Sequence, residues 1–160
     1  MKTTDIAELT RVDALALLTQ DHKLVHKLFK EYAGLGDRAH DAKGKLAQRI
    51  CGELKIHMQI EEEIFYPAAR KAIKDSDLMD EADVEHTAAK RLLAEVENGT
   101  PGDSHYDAKV KVFGEEIDHH VEEEQDEMFV KVRKTKLDLD ALGARLAERK
   151  AQLKKSLGVA

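Results

Sequence analysis

Apolar residues recur along this chain at helical spacing in four long segments and a shorter fifth. The first segment runs from about Asp13, an N-cap type residue, to Ala33 and stops at Gly34 and Gly36; Leu15, Leu18, Val25, Phe29 and Tyr32 form its stripe. The second begins near Asp41 and passes Pro67 to about Lys74, with a core line through Leu46, Ile50, Leu54, Ile64 and Ala68. The third spans about Asp77 to Glu97, with Met79, Ala82, Ala89, Leu93 and Val96, and closes at the turn cluster from Asn98 to Gly102. The fourth starts near Ser104 or His105 and extends to about Lys134, with Val110, Phe113, Ile117 and Met128 on one side. Short connections force neighbouring helices to be antiparallel. The pattern therefore predicts an all-α fold, an up-down-up-down four-helix bundle over residues 13–135, preceded by an N-terminal segment at 1–12. In the remaining stretch, 136–160, a pattern from Asp138 to Leu157 sets Leu142, Leu146, Leu153 and Leu157 against Arg145, Arg149, Lys150 and Lys154. It predicts an additional C-terminal amphipathic helix that caps the bundle.

The apolar stripes are interrupted in a regular way. His22 lies on the first, His57 and Glu61 on the second, His86 on the third, His120 and Glu124 on the fourth. A histidine and a glutamate four residues apart project from one helix face, and the pair occurs twice. One histidine on an apolar face is ordinarily a satisfied core residue. Four of them with two glutamates, all directed inward, ask for a compensating charge, because an unpaired carboxylate in an apolar core costs several kcal/mol. Four neutral imidazoles and two carboxylates carry a summed charge of about −2, which two divalent cations more than neutralise, leaving room for a hydroxo or oxo bridge. If both carboxylates bridge, two six-coordinate metals keep roughly two open positions. Mixed imidazole and carboxylate donors suit iron, with manganese and zinc as alternatives, and the lack of thiolates speaks against iron–sulfur chemistry.

The other histidines and acids fail the same test. His26 and His119 share faces with charged residues, His40 and His105 lie in or beside loops, and Asp118 and Asp126 read as surface. Of the runs Glu61-Glu62-Glu63 and Glu122-Glu123-Glu124, only Glu61 and Glu124 reach the core line. Glu116 and His119 show the Glu-x-x-His spacing of a ferritin-like carboxylate site, but His22 stands where that pattern needs a glutamate on the first helix.

Composition narrows the function. With 42% hydrophobic and 36% charged residues, no long apolar run and a net charge of −6, the chain reads as a cytoplasmic globular protein. It is not expected to bind nucleic acid or an anionic membrane in general. The first ten residues lack the apolar core of a secretory signal. The single cysteine, Cys51, sits in a helical pattern and reads as core filler.

The sequence resembles the bacterial hemerythrin-like proteins, the HHE cation-binding domain family, in Asp21-His22, in the block from His57 to Pro67, in Glu85-His86 and in the block from His119 to Glu124. The resemblance spans about residues 13 to 135. It implies two non-haem iron ions, bridged by oxo or hydroxo, held by His22, His57, Glu61, His86, His120 and Glu124, with both glutamates as bridges. Two departures stand out. Where oxygen-carrying hemerythrins supply a second histidine one turn from the third-helix ligand, this chain has Ala82 and Lys90; and Val130 replaces the usual proline. The missing donor leaves a vacancy or is replaced by Tyr32, Tyr66 or Tyr106, of which Tyr106 is the first choice because it opens the fourth helix. The ordinary reading of Tyr106 is nevertheless a packing or capping role. The expected function is to bind, and to sense or process, a small ligand (O2, NO or H2O2) at an open di-iron centre, as an enzyme or a sensor. No protein partner is indicated. The alternatives are iron storage or donation for iron-centre repair, and a metal-free structural bundle.

Overall fold

A computed structural model describes residues 12–160, which form helices joined by short turns with no strand among them. The expected N-terminal segment 1–12, apart from Val12, lies outside the described residues. Helix α1 spans Ala14–Ala33, α2 His40–Ile60, α3 Tyr66–Ile73, α4 Ser76–Asn98, α5 Tyr106–Glu123, α6 Phe129–Arg133 and α7 Leu139–Leu157. A π turn, Glu61–Phe65, joins α2 to α3, and a second, Glu124–Met128, joins α5 to α6. Each joined pair runs on as one rod, so the bundle has four rods: α1, α2 with α3, α4, and α5 with α6. Aspartates set three of the helix starts. The carboxylates of Asp13, Asp75 and Asp138 accept the backbone N–H of Ala16 at 2.8 Å, Leu78 at 3.2 Å and Ala141 at 3.0 Å.

Two apolar clusters fill the interior. One contains Leu18, Ile60, Phe65, Ala82, Met128 and Phe129, the other Val25, Leu54, Met58, Ala89 and Ile117. Along every rod the chain passes from one cluster to the other through a histidine, so the polar positions form a single layer across the bundle.

The π turns change the register expected from the sequence. The Tyr66 N–H donates to the Glu61 carbonyl and the Phe129 N–H to the Glu124 carbonyl, five residues back instead of four. The extra residue rotates the rest of the rod about its axis. Ile64 and Ala68, on the expected core line, are only partly buried, and Phe65, Tyr66 and Ala69 take the interior. Pro67 follows the first π turn and has no N–H to offer an α-helical ladder. Val130 occupies the matching place after the second, and the turn forms there too, so proline is not its cause.

Helix α7 lies along α1 and α2 and puts Leu142, Leu146 and Leu153 into the first cluster, while Leu157, the end of the expected stripe, is 51% exposed. Among the described residues no helix is long and apolar enough to cross a membrane.

Leu146 is fully buried where α7 meets the bundle. Leu146→Ala is expected to cost about 2–5 kcal/mol through lost contacts and a cavity. Thermal unfolding followed by circular dichroism checks this, and an unchanged Tm would show that α7 adds nothing to the cooperative core.

Candidate metal centre

The polar layer brings together the six side chains singled out by the stripes. His22, His57, Glu61 and Glu124 form one group, and Glu61, His86, His120 and Glu124 a second, with potential donor atoms in each group within 4.8 Å of one another. The two glutamates belong to both groups, the arrangement expected of bridging ligands. Within the first group the Nε2 atoms of His22 and His57 are 3.2 Å apart, and His57 Nε2 is 3.0 Å from Glu61 Oε1. Within the second, the Nε2 atoms of His86 and His120 are also 3.2 Å apart, each 3.2 Å from a glutamate oxygen. Neither Glu61 nor Glu124 side chain is exposed to solvent at all.

The outer nitrogens are fixed by a ring of contacts that passes round the bundle. Asp21 on α1 accepts from His57 on α2 at 2.9 Å; Glu62, in the first π turn, accepts from His86 on α4 at 3.1 Å; Glu85 on α4 accepts from His120 on α5 at 2.9 Å; Gln125, in the second π turn, accepts from His22 on α1 at 2.7 Å. Each partner is the sequence neighbour of one candidate ligand and holds a different one on the next rod. Donating Nδ1–H outward leaves each Nε2 lone pair turned inward, where a metal can take it. Three partners are carboxylates and the fourth is an amide. His22 is thus the least electron-rich of the four imidazoles.

Electrostatics shows what the layer lacks. Three carboxylate oxygens, both of Glu61 and Oε1 of Glu124, have no hydrogen-bond donor although they are fully enclosed. Such atoms are rare in folded proteins and cost roughly 1–3 kcal/mol each, more when charged. The cluster instead draws protons onto its imidazoles. Burial opposes a charge on His120, yet its bonds to Glu124 and Glu85 push its pKa up to about 10. Burial likewise opposes, and Glu61 and Asp21 overcome, so that His57 is held well above the usual imidazole value. Burial opposes a charge on Glu124 as well, yet the adjoining Glu61, His120 and His22 side chains hold its carboxyl well below the usual range. The acids that raise the proton affinity of these imidazoles make the layer a place for positive charge, which a pair of cations displacing those protons would supply.

One further side chain enters the layer. Tyr66 Oη lies 3.0 Å from His86 Nε2 and 3.1 Å from His120 Nε2, and donates to Glu124 Oε2 at 2.5 Å. It therefore stands in the second group as a seventh donor. Burial, with the charges of Glu124 and Glu61, holds its phenol well above its ordinary pKa. The corresponding place in the first group belongs to Phe129, stacked on His22 with ring centroids 6.0 Å apart. Tyr106, the tyrosine preferred from the sequence, does open α5 but lies in the second apolar cluster with its ring against Gly99. Tyr32 points elsewhere too, donating to Asp107 at 2.7 Å. Glu116 and His119 are exposed, which removes the ferritin-like alternative. His26 is exposed as expected, 63% of its side chain facing solvent.

One side of the layer is lined mainly by apolar side chains, with the Asp21 carboxylate among them. Val25, Leu54, Met58, Ile117 and Val121 join the four imidazoles around a cavity of about 10 Å³, space for the centre of one water-sized molecule.

A four-rod bundle whose buried histidine and glutamate layer contains two overlapping donor groups belongs among the helical cation-binding proteins. The family is established by comparison. Residues 13–132 match the Hemerythrin HHE cation binding domain, and the chain belongs to that family. The crystal structure of a hemerythrin HHE cation binding domain-containing protein from Mycobacterium kansasii shares the fold, with a TM-score of 0.77 at 24% identity over 91% of this chain and 89% of that one. A curated relative, a DNA nickase from Nostoc sp., is 26% identical over 119 residues. That match covers 73% of this chain and 32% of the nickase, so the chain spans about a third of the length of that relative.

Filling the layer with cations should stabilise the fold. At free metal about 100 times Kd, binding adds about 2.7 kcal/mol, so Tm is expected to rise by several degrees with ferrous iron, manganese or zinc and to fall back on chelation. Scanning calorimetry checks this, and a Tm indifferent to all three metals would contradict it.

Proposed function

We propose that this protein holds two iron ions in the buried layer and uses them to process hydrogen peroxide, with dioxygen or nitric oxide as further small ligands. The first iron would be held by His22 and His57, the second by His86, His120 and Tyr66, with Glu61 and Glu124 common to both. When bound, the iron pair supplies redox chemistry and open coordination positions that amino-acid side chains lack.

The observation that carries the choice of peroxide is Tyr66. A phenolate is a hard, anionic donor and favours ferric over ferrous iron, a ligand type that haem catalase also uses. Reversible oxygen carriage needs a stable reduced pair and is disfavoured by such a donor. The chain's own groups fit the net reaction, in which one peroxide is reduced to water and a second is oxidised to dioxygen. Tyr66 Oη carries a proton at Glu124 Oε2 and can give it up when a cation replaces it. The four Nδ1–H contacts keep the imidazoles fixed while charge changes at the centre. The small cavity beside the imidazoles, lined by Val25, Leu54, Met58, Ile117 and Val121, suits small molecules such as peroxide better than bulky ones.

The iron-loaded protein is expected to consume peroxide over many turnovers with release of dioxygen, and to absorb visible light through phenolate-to-ferric charge transfer. Tyr66→Phe is expected to lose that absorption and at least about tenfold in turnover, equivalent to ~1.4 kcal/mol in barrier, whereas Tyr106→Phe keeps both. A stable, reversible dioxygen adduct without peroxide loss would point to a carrier or sensor instead, and rapid transfer of iron to an acceptor would point to donation.

A further inference from the structure

The C-terminal helix does more than cover the bundle. Its adjacent residues Arg149 and Lys150 each hold an acid beside a candidate ligand. Lys150 Nζ pairs with Asp21 Oδ1, while the other oxygen of that carboxylate accepts from His57 Nδ1 at 2.9 Å. Arg149 grips Glu63 with two nitrogens, Nε at 2.7 Å and Nη2 at 3.2 Å. Glu63 lies in the π turn that opens with Glu61. The Lys150 contact serves the half of the layer that contains His22 and His57, and the Arg149 contact anchors the helix to the π turn at the exposed Glu63. Helix α7 touches α1, α2 and the first π turn. In the other half the corresponding cation, Lys90, holds Glu62 at 2.5 Å from within the four-rod bundle.

The register of α7 is fixed close to this contact. Gly143 meets the start of α1 backbone to backbone; a Cβ there would lie 2.5 Å from the Val12 carbonyl oxygen and 2.8 Å from the Ala14 nitrogen. Two turns further along the same face stands Lys150, over a carboxylate that is 5% exposed. An ion pair in so enclosed a place cannot drift as a surface pair does, and it fixes the orientation of the acid between Lys150 and His57.

We infer that α7 is a component of the metal centre: Lys150 positions Asp21 and through it His57, with Arg149 anchoring the helix on Glu63, so that metal affinity in the His22 and His57 half depends on docking of the C-terminal helix while the His86 and His120 half does not. The inference rests on the two-metal function proposed above. Lys150 and Arg149 are positioning residues, since neither reaches the donor atoms themselves.

Cobalt(II) titration of the full chain, followed by its visible absorption, tests this in two backgrounds. His86→Asn leaves the half beside α7 as the better site, and His57→Asn leaves the other. Lys150→Met in the first background is expected to weaken cobalt binding about 3–10-fold, less than the roughly 10–100-fold cost of losing Asp21, the direct outer partner of the ligand. In the second background it should change affinity by less than about twofold, within the additivity of independent sites. Lys150→Arg should restore most of the loss. Gly143→Ala, which displaces α7 without touching an acid, should reproduce the same one-sided weakening, with circular dichroism reporting that the four rods persist. Equal effects in both backgrounds, or none in either, would overturn the inference while leaving the two-metal reading intact. A wild-type chain that takes up neither cobalt nor ferrous iron would overturn both.

Discussion

Two carboxylates shut away from water govern this structure. Glu61 and Glu124 have fully enclosed side chains, and three of their four oxygens receive no hydrogen bond. An apolar core would be the more stable filling at both positions, since isolated buried charges cost several kcal/mol even after relaxation. The four histidines, the outer ring of acids and the Tyr66 phenol become intelligible once the layer is seen as a receptacle for positive charge. The two apolar clusters on either side hold it rigid, so that the donor atoms are placed before any cation arrives.

The receptacle is built twice and then made unequal. Each pair of rods contributes two histidines, one glutamate at the head of a π turn and one aromatic ring just after it. Tyr66 puts a phenol into one group, and Phe129 puts a plain ring into the other. Glu62 and Gln125 occupy matching places, and only the first carries charge. The two halves therefore differ in donor strength and in outer charge. A pair of metals in unlike surroundings can divide the work of ligand binding and electron storage, which equal sites do less readily.

Periodicity was enough to reveal the rods and the six inward polar residues, because a histidine on an apolar stripe breaks a strong pattern. It failed where the helix itself departs from 3.6 residues per turn. In an uninterrupted α-helix the residue five places after Glu61 points roughly 140° away from it, so periodicity gave no sign that Tyr66 faces the layer, and Tyr106 was preferred for its place at the start of the fourth helix. The π turn brings Tyr66 back over Glu61. No single residue announces that turn, for the Pro67 after the first copy is Val130 in the second. The outer ring was hidden for a different reason. Asp21, Glu62, Glu85 and Gln125 each adjoin a ligand in sequence, a visible signal, but each serves a ligand on another rod, which only the packed bundle reveals. Lys150 was legible only as part of a charged helix face.

The proposed occupancy of the buried layer, two metals at once, can be counted. The most direct measurement is iron per chain after anaerobic loading with ferrous iron and removal of the excess, made on the wild-type chain and on a chain with Glu61 and Glu124 both replaced by leucine. Two irons in the wild type, one for each donor group, and none in the double variant are expected, with the double variant still folded. A wild-type chain that retains no iron, or a double variant that still retains two, would contradict the account.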